Sequence, residues 1–310
     1  MEIFGSNFDD SVFSEAKDRG SVFVSSYNAK RCEPEWFCDS AALHTDDSLQ
    51  KQKVFKFRGD LAVRQGNYQT GLDAYSSCLD WIGNNNLSIK RDILEGMVRC
   101  CTKLGHRDRA MDLVDILSKE ASNTCHLTSL LLLKVSVYQH FGAIGPRMLS
   151  LQDLCSLLPF NPWNWFNLGK MCVQLLEDNT ALEKSAEAED PAYLAEGKVW
   201  LKACTCLIRT RLLLGILQQQ QSSFVLLRNQ NVLQSAEEAL KHLNPKESTL
   251  HTLTEVMSKD LNPEKMKEDY QDGESLSSVC LQSFSERWWN NILLTGVLEA
   301  EGRDTRSDKT

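Results

Sequence analysis

The chain holds 310 residues, with 34 basic and 42 acidic side chains and a formal net charge of −8. Its 42% hydrophobic and 25% charged content is that of a globular protein and excludes global disorder. With only 16 glycines and 7 prolines it is too poor in breakers for a turn-rich all-β protein, so the expectation is an all-α chain of long helices.

Residues 1–48 are acidic, lack sustained periodicity and read as a mostly irregular N-terminal segment. The opening, Met1 to Asp10, has no apolar stretch of the kind a secretory signal peptide needs. Between Tyr27 and Phe37, Pro34 followed by Trp36-Phe37 predicts a turn or helix start with docking aromatic rings. Those rings either cap the first helix of the following domain or form a linear motif for a partner.

From about residue 49, apolar residues recur at helical spacing. Val54, Phe57 and Leu61 mark a first helix that stops at Gly66-Asn67. A second helix carries Leu72, Tyr75, Leu79 and Ile82 on one face, completing a hairpin. The pattern recurs over about 91–121, turning at Leu104-Gly105-His106, and over about 127–158, turning at Phe141-Gly142-Ala143. The turn glycines Gly66, Gly105 and Gly142 lie 39 and 37 residues apart, which fits a 34-residue unit with short insertions at Asn84–Ser88 and near Asn123–Cys125.

This recurrence resembles the tetratricopeptide repeat, whose pattern is W-x2-L-G-x2-Y, then small residues and an aromatic, then Pro. Four units fall at about 52–85, 91–124, 128–161 and 162–177. The first supplies Phe55, Gly59, Gly66, Tyr68, Gly71 and Tyr75 at matching places, with Arg58 and Ala62 departing from the pattern. The second keeps Leu94, Gly105 and Ala110, and the third keeps Tyr138, Gly142, Leu154 and Pro159. The fourth opens on Trp165, Leu168 and Gly169, with Cys172 in place of the usual Tyr. Physically these are packing residues. Small ones let helices approach, aromatics fill the space between hairpins, and stacking buries what one hairpin leaves exposed.

The resemblance implies a right-handed superhelix in which the first helix of each hairpin lines the concave surface. On that register the groove presents Lys53, Lys56 and Asp60, then Glu95 and Arg99, then Ser136 and Gln139, then Phe166 and Lys170. Lys53, Lys56, Arg99, Gln139, Phe166 and Lys170 are the candidate peptide contacts. Chaperone-binding members of this class hold a terminal carboxylate in a Lys/Asn/Arg clamp. Lys56 matches one clamp lysine, but Asp60 stands where Asn is needed, and Gly96 and Leu133 occupy other clamp places. No carboxylate clamp is expected.

Asp178–Tyr193 is polar and acidic and reads as a loop over 178–193. A C-terminal helical region over 194–298 follows. Its first helix, Leu194–Leu217, is apolar on most sides and is expected to cover the end of the superhelix. Gln218–Gln221 reads as a solvated extension. A further helix runs through Leu226 and Leu240 to Asn244-Pro245, and Glu247–Leu261 is another. Leu276–Leu298 carries one stripe in i+4 steps: Leu276, Cys280, Phe284, Trp288 and Ile292. Residues 299–310 read as a disordered tail.

Longer segments are similar to an uncharacterised vertebrate family, named for a chromosome-8 open reading frame, that has a tetratricopeptide-like region and a domain of unknown function. They are Phe8 to Phe13, Tyr27 to Phe37, Asn161 to Trp165, Leu201 to Cys204 and Ile208 to Leu214. This resemblance covers most of residues 8–260. It implies the helical fold and no biochemistry.

Signals for chemistry are sparse. The 11 cysteines are an odd, scattered set with no C-x-x-C, and read as buried, reduced thiols of a cytoplasmic or nuclear protein. The six histidines are isolated, and there is no phosphate-binding, dinucleotide, zinc-protease or serine-hydrolase motif. The expectation is a protein that is not an enzyme and needs no cofactor or metal. No apolar run approaches the ~20 residues of a membrane span.

Charge is uneven. Residues 51–109 hold 11 basic and 6 acidic side chains, whereas 1–50 and 178–310 each sum to −6. This basic block reads as a solvated face, as a surface pairing with the acidic N-terminal segment, or as a groove for an acidic peptide. An acidic chain is not a default nucleic-acid binder. The leading expectation is a protein-interaction scaffold or adaptor that holds an acidic or extended peptide. The alternatives are a nuclear nucleic-acid-associated factor, from the basic hairpins, and an obligate subunit of a larger complex, from the apolar 194–217 helix and Trp288-Trp289.

Overall fold

A computed structural model describes residues 34–83, 86–183, 192–218, 223–262 and 281–301, and all regular structure among them is helical. Two short 3-10 turns, Trp36–Cys38 and Ser40–Leu43, precede α1 (Ser48–Arg64), α2 (Tyr68–Leu79), α3 (Leu87–Leu104) and α4 (Arg107–Lys119). Then come α5 (Thr124–His140), α6 (Ile144–Leu157), α7 (Pro162–Glu183), α8 (Ala192–Gln218), α9 (Ser223–Leu243) and α10 (Glu247–Ser258). The last described stretch is α11 (Leu281–Phe284), a π-helical turn (Ser285–Trp289), α12 (Asn290–Leu293) and α13 (Val297–Ala300).

Local chemistry sets the helix ends. The Asp47 carboxylate accepts the Leu49 N–H at 2.9 Å and caps α1. Asn123 accepts the His126 N–H at 2.9 Å and caps α5. Asn161 does the same for Trp163 at 3.0 Å, ahead of Pro162 in the first turn of α7. The three turn glycines, Gly66, Gly105 and Gly142, have φ of 79°, 77° and 66°, a conformation that side chains resist, so each ends the first helix of a hairpin.

Helices pack largely on their chain neighbours: α1 on α2, α2 on α3, α3 on α4, α5 on α6 and α7 on α8. First helices also meet, α1 with α3 and α3 with α5. The buried apolar residues form two clusters. One lies among α2–α5 and includes Leu72, Tyr75, Ile93, Val98, Ala110, Val114 and Val137. The other spans α5–α10 and the C-terminal turns, and includes Leu154, Trp165, Leu168, Leu207, Met257, Phe284, Trp288 and Trp289. Helix α5 serves both, sending Leu130 and Leu133 to the first and Leu131 to the second.

Several expectations are corrected. Residues 178–183 are not loop: no Gly or Pro follows Asp178 before Glu183, and α7 simply continues. Residues 192 and 193 already belong to α8, while 184–191 lie outside the described residues. Helix α8 is not a bare end cover. It pairs with α7 and is itself packed by α9 and α10, because it is apolar nearly all round. The 276–298 helix is interrupted at Gly296, whose φ is 66°, and its i+4 stripe passes through the wider π turn, leaving Phe284, Trp288 and Ile292 all buried. Residues 299–301 are not tail. Glu301 accepts the Lys246 N–H at 2.8 Å and the Thr249 hydroxyl at 2.5 Å, satisfying donors at the start of α10. The readings made on 1–33, on the insertion residues 84–85, on 219–221 of the glutamine run, on 276–280 and on 302–310 fall outside the described residues.

Candidate functional site

The first hairpins are built around one ring. Tyr75 of α2 lies between Gly59 of α1 and Gly96 of α3; a Cβ on Gly96 would stand 2.7 Å from the ring, and one on Gly59 would collide with it. Both glycines are thus absences that admit an aromatic, as repeat packing requires. The Tyr75 hydroxyl donates to Asp60 Oδ1 at 2.8 Å, and Asp60 Oδ2 accepts from Lys56 Nζ at 2.9 Å. Burial, and then the Asp60 hydrogen bond and charge, push the phenol well up, so it stays a protonated donor.

This ring joins two polar patches. Lys56 and Asp60 lie on α1 to one side of Tyr75. On the other side, next to Gly96, Glu95 accepts from Arg99 Nη2 at 2.7 Å and from Nε at 3.0 Å. Glu95 also lines a small cleft of about 110 Å³ between α3, the end of α4 and the start of α5. Leu117, Ala121 and Leu130 give it an apolar side; Arg91, Asp92, His126 and Ser129 complete it. Lys53 is exposed on α1 and Gln139 is exposed far along α5. Phe166 and Lys170 sit together on α7, with the Lys170 ammonium 5.6 Å from the ring centre, and Phe166 packs on the second core. Among the described residues, no hydrogen bond or ring contact links this pair to the α1 and α3 positions. Gly96 lies against Tyr75 and Leu133 is buried, so neither offers a polar group to a clamp.

The basic block is partly neutralised internally. Lys56 pairs with Asp60, Arg99 with Glu95 and Lys90 with Glu120. Lys51 lies 4.0 Å from the Trp81 ring centre. Arg58 donates to the carbonyls of Phe37 and Asp39 at 2.6 and 2.8 Å, while Trp36 and Phe37 pack on Phe57. The rings therefore rest on α1. Lys53, Arg91 and Lys103 make no ion pair among the described residues.

A second polar centre lies in the C-terminal core, where the sequence suggested only apolar packing. Arg209 of α8 is wholly buried. Its Nη1 donates to Asp260 Oδ1 and to the Met257 carbonyl, both at 2.5 Å, and its Nη2 donates to Asp260 Oδ2 at 3.1 Å. Nη2 also reaches the Pro159 carbonyl at 3.4 Å, which accepts the Trp165 indole N–H at 2.8 Å. The guanidinium lies 4.9, 5.5 and 5.9 Å from the ring centres of Trp288, Phe160 and Trp165. Burial lowers its pKa, and the Asp260 hydrogen bond and charge oppose that shift. The available signal was a pair of arginines, Arg209 and Arg211, in a helix apolar on most sides; a buried arginine demands an acid elsewhere in the chain, and the sequence does not say which of the two is buried.

Burial shifts several titratable side chains of this core. Lys202 lies 3.9 Å from the Trp289 ring centre, and burial lowers its pKa. The buried Cys172 thiol is pushed up to about 12, and Cys155 and Cys206 are raised well above the ordinary value by burial. Among the described residues no cluster of acids, histidines and cysteines could hold a metal ion, and no helix is long and apolar enough to cross a membrane.

Comparison with known proteins places these features in one lineage. A family of unknown function, DUF5588, matches residues 2–193 and 176–289, spans that contain the hairpins and the Arg209 centre respectively. The Homo sapiens "Uncharacterized protein C8orf76" is 32% identical over 358 aligned positions, which cover 94% of this chain and 93% of that protein. The Rattus norvegicus "Uncharacterized protein C8orf76 homolog" is 32% identical over 319 positions, covering 86% of this chain and 85% of that one. From the first hairpin to the C-terminal core, the chain belongs to the DUF5588 family.

Proposed function

We propose that the chain is a non-catalytic adaptor whose hairpins stack as a tetratricopeptide-like superhelix and hold an extended acidic peptide across α1, α3 and α5. The observation that carries this reading is the placing of polar pairs on successive first helices, Lys56–Asp60 on α1 and Glu95–Arg99 on α3, with the cleft beside Arg91 adjoining the second. The meeting of first helices, α1 with α3 and α3 with α5, supports the superhelical stacking. Lys53, Arg91 and Lys103 supply cations to an acidic partner, and the 110 Å³ cleft accommodates one small apolar side chain. Six buried thiols outside any disulfide, Cys78, Cys100, Cys101, Cys155, Cys172 and Cys206, favour a reducing compartment, cytoplasm or nucleus.

Peptide display against the purified full-length chain tests the reading. Enriched peptides should carry acidic residues, and Arg91→Glu and Arg99→Glu should each weaken them about tenfold, or ~1.4 kcal/mol. Lys241→Glu, on α9, should leave affinity unchanged. Peptides that bind Arg91→Glu and Arg99→Glu as well as they bind the parent would refute the groove.

A further inference from the structure

One opening of the C-terminal core differs in chemistry from the hairpin groove. A cleft of about 360 Å³ lies between the end of α10 and the π turn with α12. Val256, Met257 and Trp288 form its apolar wall, and Lys259, Asp260, Arg287, Asn291 and Thr295 supply polar groups. That volume and that mixture, apolar walls with a few convergent polar groups, are those of small-ligand sites.

Three observations set the sign of the ligand. Asp260 is the one carboxylate of the lining, and both its oxygens already accept from the buried Arg209. Lys259 is an exposed cation, and Arg287 reaches Asp260 from the outer side at 3.6 Å while lying 4.8 Å from the Trp288 ring centre. Trp288 therefore stands between two guanidiniums, one buried and one at the cleft. Its residue is only 5% exposed, and its indole N–H is shut from solvent with no acceptor among the described residues. Buried donors are normally paired, and this one, beside the cleft, is among several described side-chain atoms that are not. The π turn that carries Trp288 is a local geometry found disproportionately at functional sites.

We propose that this cleft binds a carboxylate joined to a short apolar chain, such as the terminus or an acidic side chain of a peptide. Lys259 and Arg287 face the carboxylate, Val256 and the edge of Trp288 take the apolar part, and the buried Trp288 N–H lies beside the cleft and reports its occupancy. This site is separate from the α1–α3–α5 groove and stands or falls without it.

The test uses isotope-labelled full-length protein and the indole N–H resonance of Trp288, assigned with Trp288→Phe. Three probes are titrated: acetyl-leucine, acetyl-leucinamide, and acetyl-leucyl-glutamate with its α-carboxyl amidated. One or both carboxylate probes should move the resonance saturably, and the neutral amide should not. A response to acetyl-leucine alone identifies a chain terminus, and a response to the third probe alone identifies an acidic side chain. Lys259→Glu, an exposed change that leaves the core intact, should weaken binding about tenfold. If Trp288→Phe does not fold, the resonance whose shift is lost in Lys259→Glu and Arg287→Gln serves in its place. An equal shift with the neutral amide, no shift with any probe at millimolar concentration, or unchanged binding by Lys259→Glu would overturn the proposal.

Discussion

The two cores solve the same problem in opposite ways. In the N-terminal hairpins an aromatic ring is set between glycines, and Tyr75, Gly59 and Gly96 lie within 38 positions of one another. Their polar contacts are equally local, as in Lys56–Asp60 and Glu95–Arg99, both four residues apart. In the C-terminal core one guanidinium binds together the end of α6, α8 and the end of α10, reaching groups 48 to 51 residues away. Regularity holds the first region, and a single buried charge organises the second. Locally paired hairpins can therefore absorb a local defect, whereas the second core depends on one partner set.

The largest effect that tests this contrast comes from Arg209→Met. Removing one partner of a buried pair leaves Asp260 without its main counter-charge and should cost about 3–5 kcal/mol. Chemical denaturation measures the loss, and hydrogen exchange should show it confined to α7–α10 with α1–α4 still protected. An equal loss of protection in α1–α4 would erase the distinction between the cores.

A smaller effect is expected from Gly96→Ala. The new methyl would meet the Tyr75 ring at 2.7 Å. Overpacking of this kind costs about 1–3 kcal/mol, against a helix-propensity gain of ~1 kcal/mol. The net should be destabilising, and the same change in a Tyr75→Leu background should be neutral or stabilising. If Gly96→Ala behaves alike in both backgrounds, Tyr75 is not what the glycine accommodates.

The smallest effect concerns Asp153 on α6, between the cores. Burial pushes its carboxyl up to about 6, with Lys134 acting the other way. Because the folded pKa lies above the unfolded one, the folded state binds more protons between pH ~4 and ~6, and stability falls as pH rises through that window. Asp153→Asn should therefore stabilise at pH 7 by about 1 kcal/mol, discounted for the group's partial exposure, and be near neutral below pH ~4. Thermal melts at the two pH values check this, and a gain of equal size at both would remove the ionisation account.

Legibility in the sequence follows the same division. Gly66, Gly105 and Gly142 could be read as hairpin ends because a positive φ favours glycine, and all three occur at that φ. Trp165, Leu168 and Gly169 could be read as packing residues because the spacing is local; Trp165 and Leu168 are wholly buried, and Gly169 lies against Cys206 and Leu207. The Arg209–Asp260 pair could not, since nothing in a helical period says which distant acid meets a lone arginine. Leu294 escaped the apolar stripe for a related reason: Gly296 ends the helix, and Leu294 is left 83% exposed. Of the candidate groove, Lys56 is tied through Asp60 to Tyr75, Arg99 pairs with Glu95 on α3, and Phe166 packs on the other core beside Lys170.

The tryptophans are unequally shared between the two regions. Trp165, Trp200, Trp288 and Trp289 are buried in the second core, while Trp81 is largely exposed beside the first, whose central aromatic is Tyr75. Indole emission therefore reports mainly on the second region, with Trp36 and Trp81 beside the first, whereas far-ultraviolet circular dichroism sums the helices of both. Recording the two signals along one denaturation curve would show whether the halves melt as one unit or in sequence, with no label and no substitution.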